Sequence, residues 1–253
     1  MAVHTKEEIS YTAKIYRYPD GSEDLICAAD PIFRPAGWEI ADHWEVSRLL
    51  DRTPRKSGAK SEGSDMLRSM RRARAQLRRL ALANEFDYFV TLTLDAQRID
   101  RYDGAAVVKG LSRWCNDMVK RHGLRYILVP ELHKDGAFHF HGFMAGDGLQ
   151  IVDSGVKWDG KPVYNLPQWR YGFTTAQRLY GEYSAAVGYC CKYIGKQQGQ
   201  RPLGRWYYSG GPLARPEVDF QNLDIRDVDG WEVNIPGVTT MKIQNGVKST
   251  END

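Results

Sequence analysis

The 253-residue chain has no apolar run of the roughly 20 residues that a membrane helix needs. Its first residues, Met-Ala-Val-His-Thr-Lys-Glu-Glu, lack the basic-then-apolar pattern of a signal peptide. Cysteine is scarce: Cys27, Cys115, Cys190 and Cys191 show no metal-finger spacing, and the adjacent pair is poorly placed to form a disulfide. A reduced, cytoplasmic protein is expected. No Gly-x-x-x-x-Gly-Lys-Ser/Thr phosphate loop occurs, so the usual helicase feature is missing. What is present is ordinary for a soluble globular protein, with 42% hydrophobic and 26% charged residues. The net charge of +3 is unevenly spread. Residues 217–253 hold eight acidic and three basic side chains, a net of −5, so the remainder carries +8. A basic body suits a polyanionic partner.

The most informative residues are His139-Phe140-His141. They lie in a run of apolar residues interrupted by Asp135-Gly136, the pattern of a β-hairpin. Residues i and i+2 of a strand face one side, so the two imidazoles point the same way. A three-residue loop, Lys134-Asp135-Gly136, puts Gly136 in the left-handed position and pairs Ala137 with His133, Phe138 with Leu132 and His139 with Glu131. Glu131 then joins the two histidines as a third metal ligand. A loop one residue shorter sends Glu131 to the other face. His133 shares the face of Glu131 and is a reserve ligand. The plain alternative is a half-buried strand with solvent-facing histidines.

Three helices are expected. Over residues 64–83, Leu67, Met70, Ala73, Leu77 and Leu80 form an apolar stripe. The other faces carry Arg68, Arg71, Arg72, Arg74, Arg78 and Arg79 against one aspartate, a bias that suits phosphate contact as well as a solvated face. Residues 104–121 form the second helix, stopped by Gly123. Residues 180–197 form the third, with Ser184 as its amino-terminal cap. Strands are expected at Tyr11–Tyr18, at Phe86–Leu94, where Thr91 and Thr93 share a face, at Trp169–Thr175 and at Arg205–Ser209. Residues 52–63 read as a flexible basic linker and 146–167 as a loop with a turn at Trp158-Asp159-Gly160. The order fits an α+β fold with a mostly antiparallel sheet. The chain divides into an accessory region with its linker (1–63), a main domain led by the arginine helix (64–216) and an acidic tail (217–253).

On the third helix, Tyr189 and Tyr193 are four residues apart and share a face. Each heads a Tyr-x-x-Lys unit, completed by Lys192 and Lys196. A tyrosine hydroxyl can attack a phosphodiester and hold the DNA covalently. A lysine nearby can lower the cost of ionising the phenol or stabilise charge at phosphorus. Two tyrosines on one face permit two successive transfers. The alternative is a packing helix with amphipathic lysines.

These segments resemble the HUH endonucleases that initiate rolling-circle replication. Phe89-Val-Thr-Leu-Thr-Leu94 resembles their first motif, His139-Phe140-His141 the motif that names them, and Tyr189–Lys196 their nucleophile helix. Within the superfamily the chain is most similar to Rep proteins of the filamentous-phage gene II type. Its tyrosine pair is also similar to that of gene A proteins of isometric single-stranded DNA phages. Arg205–Pro216 resembles the segment that follows the nucleophile helix in such Reps. The resemblance covers residues 64–216. It implies a five-stranded antiparallel sheet with flanking helices, related to the RNA-recognition fold. It implies a Mg²⁺- or Mn²⁺-dependent nick in single-stranded DNA at an origin hairpin, with a 5′-phosphotyrosine and later strand transfer. His139, His141 and Glu131 are then the metal ligands. Tyr193 is the first-choice nucleophile, because Tyr-Ile-Gly-Lys matches the family better, and Tyr189 the second nucleophile or a supporting residue. Lys192 and Lys196 assist at the phosphate; Arg68, Arg71, Arg72, Arg74, Arg78, Arg79, Thr91 and Thr93 contact DNA. A host helicase and polymerase would be partners in the cytoplasm of a bacterial host. The same module serves transposases and conjugative relaxases. A repressor acting through the arginine helix, or a non-haem iron enzyme, uses fewer of these features.

Overall fold

The computed structural model describes residues 8–35, 62–181, 183–196, 201–235 and 238–248. The chain forms two compact units, one from residues 60–215 and one from residues 1–59 with 216–253. In chain order the elements are β1 (Glu8–Arg17), β2 (Ser22–Pro35), α1 (Glu62–Leu82), β3 (Tyr88–Thr93), α2 (Gly104–His122), β4 (Arg125–Leu132), β5 (Phe138–Ala145), β6 (Val152–Trp158) and β7 (Lys161–Asn165). They continue with β8 (Thr174–Arg178), α3 (Tyr183–Tyr193), β9 (Tyr208–Gly210), β10 (Glu217–Gln221), β11 (Trp231–Ile235) and β12 (Val238–Lys248). Residues 52–61 of the expected linker lie outside the described residues, and Glu62 and Gly63 already belong to α1.

The larger unit is α+β, built on one antiparallel sheet in the order β6-β7-β8-β3-β5-β4-β9. It has seven strands rather than five. Five of them, β8-β3-β5-β4-β9, match the expected number, and the β6–β7 hairpin adds two at one edge. That hairpin replaces the loop expected over 146–167. Its tight turn is Asp159-Gly160, both residues at positive φ (51° and 72°), the backbone of the two-residue hairpin turn. β6 escapes recognition because it has no buried face: six of its seven residues are exposed and the seventh is only partly covered.

Strict alternation divides the sheet into two faces. Even-numbered Val90, Leu92, Leu128, Phe140 and Met144 are buried under α2 residues Val107, Leu111, Trp114, Cys115 and Met118. α2 is capped at its start by Asp103, whose carboxylate accepts from the Ala105 and Ala106 amides. Gly123, left-handed at φ 62°, closes it. Odd-numbered Thr91, Glu131, His139 and His141 stand on the opposite face, the side on which α3 packs on β4 and β5 and against α1. One alternation thus supplies the core under α2 on one side and, on the other, the polar site beside buried Ile127, Val129 and Phe143.

Several boundaries differ from expectation, three of them with a bearing on the site. α3 starts at Tyr183, so Ser184 lies inside its first turn rather than at the cap. The Trp169–Thr175 strand is displaced to Thr174–Arg178, because Trp169 is held in a turn with its indole N–H donated to the Thr93 carbonyl at 3.0 Å. The strand expected at Arg205–Ser209 is Tyr208–Gly210.

Gly142 marks the closest backbone approach. A Cβ there would sit 1.9 Å from the Ile127 carbonyl oxygen and 2.9 Å from Leu128 Cα. Backbone at the centre of a sheet cannot yield, so Gly142→Ala is expected to destabilise the domain by about 3 kcal/mol, read as a shift in the urea midpoint.

The smaller unit is a five-stranded sheet in the order β10-β1-β2-β12-β11. β10, from the acidic carboxy-terminal segment, pairs antiparallel with β1 near the amino terminus. Tyr11, Ala13, Ile15 and Cys27 are buried in it. Among the described residues no helix is long and apolar enough to cross a membrane.

Candidate active site

The β4–β5 hairpin adopts the register that the three-residue loop requires. Glu131 pairs with His139, Leu132 with Phe138, and Gly136 is left-handed at φ 85°. The His133 amide donates to the Ala137 carbonyl at 2.8 Å and the Gly136 amide to His133 at 2.9 Å, closing the loop. Asp135 reinforces the turn by accepting from the Ala137 amide.

Glu131, His139 and His141 come together as a result. Among the described residues they are the one group of three or more potential ligands, with ligand atoms all within 4.8 Å of one another. Glu131 Oε2 lies 3.1 Å from His139 Nε2 and 2.9 Å from His141 Nε2. Burial pushes His141 down to about 4 and also lowers His139. Both rings are therefore neutral at pH 7 and have lone pairs to offer a cation. Two neutral imidazoles and a carboxylate, with the remaining directions open, fit one divalent ion. His133 lies outside the cluster, turned to Asp135 at 3.2 Å.

Thr91 stands across the strand pair from His141 and Thr93 across from His139. The Thr91 hydroxyl lies 3.0 Å from His141 Nδ1. A hydroxyl both donates and accepts, so Thr91 can hold either tautomer of His141. When it accepts from Nδ1–H, Nε2 is left free for a metal.

α3 brings its tyrosines over this cluster. The Tyr193 ring stacks flat on His141, with centroids 4.1 Å apart and planes 14° from parallel. Its hydroxyl donates to that of Tyr189 at 2.7 Å. Burial, then this hydrogen bond, raises the Tyr193 phenol above its ordinary value. Tyr193 is only 5% exposed, whereas Tyr189 is half exposed and packs edge-on against Phe89. Phe89 was missed as a site residue; it also faces His141, and its odd position beside Thr91 was the available signal.

The two lysines separate. Lys192 lies on α3, its Nζ 6.0 Å from the Tyr189 ring. Lys196 lies beyond the helix end, in a turn where the Gly195 amide donates to the Lys192 carbonyl. That turn carries Lys196 Nζ to 3.1 Å from Glu131 Oε1 and 4.3 Å from the Tyr193 ring centroid. Lys196 thereby ties the triad to the tyrosine.

The arginine helix is partly structural. Arg74 Nε donates to the Cys191 carbonyl near the end of α3 at 3.2 Å, and Arg68 pairs with Asp65. Arg71 and Arg72 are exposed; Arg78 and Arg79 are partly buried. Leu67, expected in the apolar stripe, is 49% exposed, and the buried stripe is Ala73, Leu77, Leu80 and Ala81.

Beside the tyrosines an open cleft of about 740 Å³ crosses the sheet toward β6–β7. His141, Tyr189 and Tyr193 are among its lining residues, and so are Trp158, Lys161, Arg178 and Tyr180. None of these last four was singled out from the sequence as a site residue.

Residues 87–198 match the family model of replication-associated proteins of the ORF2 and gene II protein type. The match runs from the residue before β3 to just past Lys196 and so contains the triad, Thr91 and both tyrosines. It is consistent with a rolling-circle replication initiator. Searches among curated proteins and among solved structures returned no match.

Proposed function

We propose that this chain, similar over residues 87–198 to replication-associated proteins, nicks single-stranded DNA at a replication origin and rejoins it by strand transfer. The observation that carries the reading is the Tyr193 ring stacked on His141 of the triad. A nucleophile candidate and a candidate metal site are thereby in direct contact.

Glu131, His139 and His141 would hold Mg²⁺ or Mn²⁺. When bound, the ion polarises the scissile phosphate and offsets charge on the leaving oxygen. The tyrosine oxygen attacks phosphorus and gives up its phenolic proton. The bond from phosphorus to the 3′ oxygen breaks, and that oxygen takes a proton to leave a free 3′ hydroxyl. The 5′ phosphate remains on tyrosine. Tyr193 is the first-choice nucleophile, being nearest the triad in contact. Tyr189, which accepts the hydrogen bond of the Tyr193 hydroxyl, holds that phenol in place and serves a second transfer. Lys196 offsets negative charge as the phenol ionises. Arg68, Arg71, Arg72, Arg74, Arg78, Arg79, Thr93 and Lys192 would contribute DNA contacts or charge around this centre. The cleft and the triad are the expected meeting place for the strand, and host proteins would unwind and copy the duplex.

The test is a covalent-adduct assay with randomised single-stranded DNA and Mn²⁺. A metal-dependent, SDS-resistant shift supports the reading. Its absence, with salt-sensitive binding that His139→Ala leaves unchanged, favours a binding protein without chemistry. Thr91→Val keeps the β-branched shape but removes the partner of His141 Nδ1. It is expected to weaken Mn²⁺ affinity about tenfold by electron paramagnetic resonance titration, with an unchanged melting temperature.

A further inference from the structure

We infer that the cleft between the β6–β7 hairpin, β8 and α3 is a stacking site for unpaired bases, with Trp158 and Tyr180 as aromatic walls and Lys161 and Arg178 as phosphate contacts. The inference rests on the reading of the adjacent triad as a DNA-nicking centre and adds the surface that holds the strand beside it.

The cleft floor follows from register. Thr175, Thr91 and His141 form one cross-strand row, and Gln177 and Phe89 form the next. The floor is thus hydroxyl, amide and aromatic and leads directly to His141. At the outer end two aromatics stand in solvent: Trp158 is 72% and Tyr180 60% exposed. Neither belongs to the hydrophobic core, so folding gives no reason for either ring.

Each exposed ring has a cation beside it. Trp158 pairs across the hairpin with Lys161, and such neighbours share a face. The Arg178 guanidinium lies 5.7 Å from the Tyr180 ring centroid. The same pairing, a flat ring with a positive charge, thus occurs twice at one cleft. No aspartate or glutamate is among the described residues that line it. An anionic ligand with flat faces satisfies both features, and single-stranded DNA is that ligand. An acidic peptide uses the charges but leaves the rings idle. Duplex DNA has its base faces already stacked, so the cleft selects unpaired strand.

The inference is tested by fluorescence anisotropy with the full chain in EDTA, so that no chemistry is needed for a signal. The probes are fluorescein-labelled (dT)20, (rU)20 and a blunt 20-base-pair duplex. (dT)20 is expected to bind more tightly than either. Trp158→Ala and Tyr180→Ala should each weaken (dT)20 about tenfold, with duplex binding and melting temperature unchanged. Trp158→Phe should restore most of the affinity, which a loss of folding would not allow. Lys161→Ala should reduce the salt slope by about 0.7. Wild-type affinity in both alanine variants overturns the inference, and so does preference for (rU)20 or displacement of (dT)20 by poly-glutamate. An aromatic-dependent affinity without any adduct in Mn²⁺ rejects the nicking centre and leaves the cleft. An intact adduct with unchanged affinities rejects the cleft alone.

Discussion

Replacing Tyr189 and Tyr193 together by phenylalanine is expected to abolish the covalent protein–DNA adduct, a loss of at least about 1000-fold. The substitution removes two hydroxyls and keeps both rings. Stacking of residue 193 on His141 and of residue 189 on Phe89 is therefore retained, and the fold should be unaffected. The single variants carry the finer information. Tyr193→Phe should remove most adduct, because the Tyr193 ring lies directly against the triad. Tyr189→Phe should leave first-strand cleavage undiminished and impair the second transfer, since the hydrogen bond it removes holds the Tyr193 phenol in its neutral form. Denaturing gels with labelled DNA separate the two. Full cleavage by the double variant would sink the tyrosine mechanism whatever the singles do.

Removing a triad member is the second large effect. His141→Ala should lower Mn²⁺ affinity by at least about 100-fold, since even partners that merely orient a ligand are worth roughly 10–100-fold. The adduct should fall in parallel. Glu131→Gln isolates charge from shape: it keeps an oxygen near both histidines and removes the carboxylate, which also releases Lys196. Calorimetric titration with Mn²⁺ and a chelator-reversal control read both variants. His133→Ala should behave as wild type, because His133 is turned to Asp135 outside the cluster. A His141→Ala protein that still binds Mn²⁺ normally would remove the ion from the triad.

Legibility followed the strength of local rules. The β4–β5 hairpin was readable because Gly136 must sit at positive φ, and one loop length then sets every facing pair, Glu131 with His139 included. α2 was readable from its periodic apolar face and the glycine beyond it. β6 was not, although Asp159-Gly160 announced the turn, because an edge strand with no buried side carries no alternation. The hydrogen bond from Arg74 to the Cys191 carbonyl of α3 was not readable, since no local signal distinguishes an arginine facing a helix end from one facing solvent.

By itself the sequence determined the α+β class and the shared face of the two histidines and of the two tyrosines, and it narrowed the hairpin register to two loop lengths. These follow from turn chemistry and from periods of two and 3.6 residues, which act over a few neighbours. Only the tertiary structure decided that Tyr193 lies on His141, that Lys196 leaves its helix to reach Glu131, and that β10 joins β1 from the other end of the chain. Each brings together residues distant in sequence, where packing and backbone pairing choose the partner and no local pattern records the choice.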